Sequence, residues 1–200
     1  MAHHEVTFPI TDPAEILKLR AGDEVTVQGH IIGIRDRTKI RIFDQGVEPP
    51  MDLGGSFLLH TAPNVRKISE DAEGRGTYEK ICIGTTTSAR MVRFTEGLGE
   101  QYGVRAICGK GGFPDIAIEP MQRLGMVYFA ITGGAAALET TQIEEIEEVL
   151  WEELMPECLW KFRVKDFGPL WVGIDSHGNS LFHDVQEEAQ KRLEGILAQL

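Results

Sequence analysis

Between residues 80 and 134 three short apolar runs of β type alternate with two stretches of helical period, and a glycine-bearing loop follows each run. The runs are residues 80–83, 104–108 and 126–131. The first helical stretch, residues 86–102, places Met91, Phe94, Leu98 and Tyr102 on one face and stops at Gly103. The second, residues 114–124, opens on Pro114 and stops at Gly125. Strand–helix–strand–helix–strand is the pattern of parallel strands joined by right-handed crossovers, a βαβαβ unit. Few other folds accommodate it.

The flanks read as β-rich. Residues 25–34 are apolar and β-branched, and residues 39–43 can pair beside them. A short helix with Pro13 in its first turn is predicted over 11–20, and a polar loop over 64–76. After the βαβαβ unit, the spacing of Ile143, Ile146, Leu150 and Leu154 predicts a helix within the acid-rich residues 139–157, its carboxylates on a solvated face. Two strands follow at 159–166 and 170–174, then a tight turn at 175–179 that opens a hairpin toward residues 180–182, and an amphipathic helix over 187–200. Residues 1–200 are therefore read as a single α/β domain, a βαβαβ unit flanked by a β-rich layer.

Charge and side-chain inventory exclude several classes. The net charge is −11, and no basic stripe suited to nucleic acid is present. No apolar run reaches the length of a membrane helix, and the first residues lack the basic-then-apolar pattern of a signal peptide, so a cytoplasmic protein is expected. Cys82, Cys108 and Cys158 are scattered, with no CxxC pair, and the six histidines show no metal spacing, so no metal site is expected on this chain. Cys82 and Cys108 lie in apolar runs, where cysteine behaves as a small hydrophobe.

In an open α/β sheet, ligands bind beyond the carboxyl ends of the parallel strands. Three segments belong there: Gly84-Thr85-Thr86-Thr87-Ser88-Ala89-Arg90, Gly109-Lys110-Gly111-Gly112 and Thr132-Gly133-Gly134. Hydroxyls opening a helix bring free N–H groups toward an anion. Thr86 and Arg90 share a helix face if the helix begins near Thr86. Lys110 sits in a glycine loop that lets an anion approach the backbone. Taken singly, threonines before a helix are ordinarily caps, and a loop lysine is ordinarily solvated. Their convergence on one edge of an acidic protein points to a bound anion. The GxxxxGK[ST] spacing is absent, which argues against a nucleotide.

These segments resemble a family. Thr-Thr-x-x-Arg-Met at residues 86–91, Gly-Lys-Gly at 109–111 and Gly-Gly-x-Ala-Ala at 133–137 are similar to the β-type region of class I fumarases and L-tartrate dehydratases. Trp160-Lys161, the Val164-Lys165-Asp166-Phe167 block and the Asp175-x-x-Gly178-Asn179 turn resemble that family too. The likeness runs from about Gly29 to Phe182 and rests on the order and spacing of the motifs. Three departures stand out. Lys39 replaces the histidine of the family's Arg-Asp-x-x-His, Thr85 replaces the proline before its threonine pair, and Val92 replaces a frequent aspartate.

The resemblance implies a swivelling β/β/α domain and a hydro-lyase subunit that hydrates or dehydrates a hydroxy dicarboxylic acid, fumarate/malate ahead of tartrate. It implies Thr86 as the catalytic base, with Arg35, Arg90 and Lys110 binding the substrate carboxylates. It places a 4Fe–4S cluster on a separate α-type partner and no cofactor on this chain, which would be active only with that partner, and it implies a dimer or α2β2 assembly. Neither a nucleic acid nor a membrane is an expected partner. A dicarboxylate-binding module without chemistry is the alternative, and a structural homo-oligomer is a third reading.

Overall fold

A computed structural model describes residues 1–197 and shows a mixed α/β fold. In chain order the elements are β1 (His3–Phe8), α1 (Ala14–Leu17), β2 (Glu24–Ile34), α2 (Asp36–Phe43), β3 (Phe57–His60), β4 (Asn64–Glu70) and β5 (Gly76–Cys82). There follow α3 (Thr95–Tyr102), β6 (Ala106–Gly109), α4 (Ile118–Leu124), β7 (Val127–Ala130), β8 (Ile143–Leu150), β9 (Leu159–Ile174) and α5 (Leu181–Leu197). β2, β3, β6 and β7 run parallel in that order, and β9 lies antiparallel to both β7 and β2. The pairing therefore closes into a small barrel-like sheet. β1 adds to β2 and β8 adds to β9, while β4 and β5 form a separate hairpin.

Closure explains why β3, β6 and β7 read as unbroken apolar runs. Both faces are covered, so neither may be polar. Phe57, Leu59, Ala106, Cys108, Val127 and Phe129 enter one core with Trp160 and Phe162 of β9. The alternate residues Leu58, Ile107 and Tyr128 enter a second core with Ile42, Leu98 and Met121 from α2, α3 and α4. Burying each such aliphatic or aromatic side chain contributes about 1.5–3 kcal/mol.

β6, α4 and β7 lie where the sequence predicts, and α3 and α4 both end on left-handed glycines, Gly103 and Gly125. Elsewhere the structure corrects the sequence reading. The first parallel strand of the βαβαβ unit is β3; residues 80–83 belong largely to the β4–β5 hairpin, which also replaces the predicted polar loop at 64–76. Residues 39–43 are helical within α2, because burial of Thr38, Lys39 and Ile42 follows a helical face. Residues 86–88 precede the helix: a 3-10 segment begins at Ala89 and α3 only at Thr95. The expected helical face shared by Thr86 and Arg90 is therefore absent.

The acid-rich stretch is a strand. β8 carries register shifts between Ile143 and Glu145 and between Ile146 and Glu148 against β9. Each bulge inserts a residue, so the apolar positions facing the core recur every third residue and imitate a helix. Residues 159–166 and 170–174 form one strand, β9, which pairs with β8 through its first half and β7 through its second. The turn after it holds as predicted, with Asp175 accepting from the backbones of His177 and Asn179. The hairpin expected toward residues 180–182 shrinks to a bridge between Ile174 and Ser180, because α5 starts at Leu181, earlier than predicted; residues 198–200 of the predicted helix lie outside the described residues.

Candidate functional site

The carboxyl ends of β3, β6 and β7 meet at an edge built by backbone hydrogen bonds. After the hairpin the chain returns to the tip of β3, where the Thr86 N–H donates to the His60 carbonyl at 2.8 Å. The Thr86 carbonyl accepts from the Lys110 N–H at 3.2 Å, and the Ser88 N–H donates to the Lys110 carbonyl at 3.1 Å. Residues 86–87 thus bridge β3 and the loop after β6, and Ser88 turns into the 3-10 segment. Glycine is needed at 109 for this approach: a Cβ there would collide with Ser88 Oγ and lie 3.1 Å from the Thr86 carbonyl oxygen. The third loop packs on the stem of Lys110, since a Cβ on Gly133 would stand 2.8 Å from Lys110 Cδ. The three loops named from the sequence do converge.

The candidate side chains fall into two groups. Thr86 Oγ1 is buried and has no hydrogen-bond partner among the described residues. Lys110, half-buried beside it along the chain contact, has no carboxylate in ion-pair range among the described residues. Arg35 and Arg90 instead gather on Asp36. Arg90 is exposed and donates through Nε (3.1 and 3.0 Å) and Nη2 (2.9 Å) to the Asp36 carboxylate, leaving Nη1 out of that contact. Arg35, the residue before α2, has Nε 3.4 Å from Asp36 Oδ2 and Nη1 3.8 Å from Glu157 Oε1; its Nε is buried without a hydrogen bond. Burial works to raise the Asp36 carboxyl, but the Arg90 guanidinium more than offsets it and holds the group below the ordinary carboxylate range.

Sequence reasoning missed what lies beneath. Lys39, His60, Ser88 and Tyr128 are all fully buried. Lys39 Nζ lies 2.5 Å from His60 Nε2, and His60 Nδ1 lies 2.8 Å from Ser88 Oγ. Tyr128 Oη is 3.0 Å from Ser88 Oγ and 2.8 Å from the Gly109 carbonyl, to which it donates. Burial pushes Lys39 down to about 7, with Asp36 opposing and Arg90 reinforcing the shift. Burial, then the charges of Lys39 and Arg90, hold His60 well below its ordinary value, so its ring is neutral. The available signal was Phe57-Leu58-Leu59-His60: an apolar run ending in histidine marks a strand tip, had residues 57–60 been read as a strand.

No group of three or more His, Cys, Asp or Glu side chains among the described residues is arranged to hold a metal ion. Cys108 and Cys158 are buried and Cys82 is half-buried at the end of β5. Burial pushes the Cys108 thiol well above its ordinary value. These residues do not fit an iron–sulfur cluster, which needs clustered thiolates. No helix among the described residues is long and apolar enough to cross a membrane.

Comparison with known proteins adds four findings. The family described as Fumarase C-terminus matches residues 3–185. The chain is 37% identical over 196 residues to the L(+)-tartrate dehydratase subunit beta of Escherichia coli K12, covering 98% of this chain and 94% of that protein. It is 33% identical over 198 residues to the putative L(+)-tartrate dehydratase subunit beta of Methanocaldococcus jannaschii, covering 96% and 98%. It is 35% identical over 186 residues to the putative fumarate hydratase class I of Geobacillus stearothermophilus, covering 92% of this chain but 34% of that longer protein.

Proposed function

The chain belongs to the Fumarase C-terminus family and is a β-type subunit of a fumarase-like hydro-lyase, and from that premise we propose that it binds and deprotonates a hydroxy dicarboxylic acid beside an α-type partner. Two full-length relatives of subunit size are named for L(+)-tartrate, which favours that diacid as first substrate, with malate and fumarate next. The domain is read as the family's swivelling β/β/α unit. The 4Fe–4S cluster that the family implies is assigned to the partner, because the cysteines of this chain do not fit one.

Dehydration takes a proton from the carbon beside one carboxylate, while hydroxide leaves the neighbouring carbon. Proton loss builds negative charge on that carboxylate. Fixed cations stabilise the developing charge more than they stabilise the substrate. Lys110 and the free Nη1 of Arg90 are the groups assigned to the carboxylates. Arg35 is assigned with them, and Asp36 fixes the plane of the Arg90 guanidinium. Thr86 is assigned as the base. A threonine acts so only if its alkoxide is favoured, and nearby positive charge lowers a hydroxyl's pKa.

The observation that supports this reading most is the buried Thr86 hydroxyl, without a partner, on the segment hydrogen-bonded to Lys110. A buried hydroxyl left unpaired costs about 1–3 kcal/mol, which a substrate atom would recover. The test is anaerobic reconstitution with the α-type partner, iron and sulfide, assayed on L-tartrate, malate and fumarate. Activity is expected, and Thr86→Val should remove most of it while the assembly still forms. Wild-type rates in Thr86→Val would refute the base assignment. Tight tartrate binding by the lone chain, with no activity in any assembly, would favour a binding module.

A further inference from the structure

A fully buried lysine whose closest polar contact is an imidazole is an expensive arrangement and calls for a reason. The four buried side chains form one directed path from α2 to the loop after β6: Lys39 Nζ, His60, Ser88 Oγ, Tyr128 Oη and the Gly109 carbonyl. A neutral imidazole has one donor and one acceptor nitrogen, so its neighbours dictate its tautomer.

Two complete patterns satisfy these distances. As an ammonium, Lys39 can only donate, so His60 Nε2 accepts and Nδ1 carries the proton. Nδ1–H then donates to Ser88 Oγ, the Ser88 hydroxyl donates to Tyr128 Oη, and Tyr128 donates to the Gly109 carbonyl. As a neutral amine, Lys39 offers a lone pair to His60 Nε2–H. Nδ1 then accepts from the Ser88 hydroxyl, and Tyr128 is free to turn its proton to Ser88 Oγ. The reversal ends at the two backbone segments that position the candidate site, residues 86–88 and 109–110.

We infer that Lys39 and His60 are positioning residues for Thr86 and Lys110, the charge on Lys39 selecting the His60 tautomer and hence how Ser88 and Tyr128 fasten the two loops. The charged and titratable groups facing the pair are Asp36 on α2, which favours the ammonium, and Arg90 after β5, which opposes it. Cys108 of β6 lies near enough to act on Tyr128. Burial brings Lys39 to about 7 while keeping His60 neutral, so the switch falls in an accessible range. The link to Thr86 and Lys110 rests on the proposed hydro-lyase role; the tautomer switch does not.

The decisive measurement is long-range 1H–15N correlation of the histidine rings in the full chain, from about pH 5.5 to 9.5, with His60 assigned through His60→Gln. His60 should pass from the Nδ1–H to the Nε2–H tautomer with one midpoint in the wild type. In Lys39→Met, a straight apolar chain of similar length, that transition should vanish. A single unchanging tautomer in the wild type overturns the inference, whether or not the variants fold. So does an unchanged transition in Lys39→Met. In the reconstituted assembly kcat should bend at the same midpoint, and the bend should be lost in Lys39→Met with KM within about threefold. A bend that survives in Lys39→Met overturns the positioning role. Wild-type assemblies inactive on all three diacids would count against the proposed function, while the ring spectra still decide the switch.

Discussion

The β8–β9 face and the edge at the tips of β3, β6 and β7 both gather charge, and they treat it in opposite ways. On the first, Arg163 meets Glu144, Glu145 and Glu147, and Lys161 and His30 also reach Glu147. These charges are of opposite sign, partly exposed and mutually satisfied. On the second, Lys39 is buried against a neutral ring, Lys110 has no carboxylate near it among the described residues, and Thr86 Oγ1 and Arg35 Nε are buried without hydrogen bonds. Most charges of the acidic face are thus spent on one another. The loop edge keeps its polar groups unsatisfied, which is unfavourable for folding and useful for binding an anion.

Four substitutions test that contrast. The largest effect is expected from Lys110→Ala in the reconstituted assembly. It should lower kcat/KM about 10²–10³-fold, the loss typical when one preorganised charge-stabilising donor is removed. The thermal midpoint of the isolated chain should barely move. A loss of stability comparable to the loss of activity would make Lys110 a structural residue and erase the distinction.

Next comes the pH dependence of stability. Lys39 is held at about 7 in the folded chain against an ordinary 10.5. Between these values the unfolded chain holds a proton that the folded chain lacks, so stability rises with pH across the window and is flat on either side. The rise should be on the order of a few kcal/mol and should disappear in Lys39→Met. His60, depressed by burial, adds a separate rise below about 6.5 that Lys39→Met retains. Denaturant unfolding at a series of pH values reads both. A slope unaltered by Lys39→Met would mean that the buried ammonium is not the titrating group.

Arg90→Lys should have a smaller effect, about tenfold in KM for the diacid, because lysine cannot hold Asp36 bidentately and still present a fixed N–H outward. The smallest is expected from Arg163→Ala. It removes three ion pairs, yet activity should be unchanged and the thermal midpoint should fall by no more than about a few degrees, less at high salt. A large loss there would show that the acidic face is more than a screened set of exposed pairs.

What was legible in the sequence followed from local signals. β6 and β7 are apolar runs and α4 a short helical stretch, each bounded by glycine or proline, and such boundaries need no partner to be read. The three loops were named for the same reason, and the contacts of Thr86 with Lys110 and of Gly133 with the Lys110 stem bring them together. β8 misled because two bulges against β9 turn a period of two into a period of three. Residues 86–88 misled because their hydrogen bonds go to His60 and Lys110, far away in the chain, and those bonds outweigh the helix that the local period favours. α2 was missed because its buried face includes a lysine, which no hydrophobic pattern marks as interior.

Composition, the run of short apolar strands and the order of the glycine loops determined by themselves that this chain is an α/β protein with three glycine-bearing loops, at which the sequence leads one to expect an anion. Local preferences are written residue by residue, so one sequence suffices for them. Only the tertiary structure decided that the sheet closes, that Arg35 and Arg90 meet on Asp36, and that Lys39 lies buried against His60. Those outcomes depend on which distant groups compete for the same hydrogen bonds once water is excluded, a competition that no local window of the sequence contains.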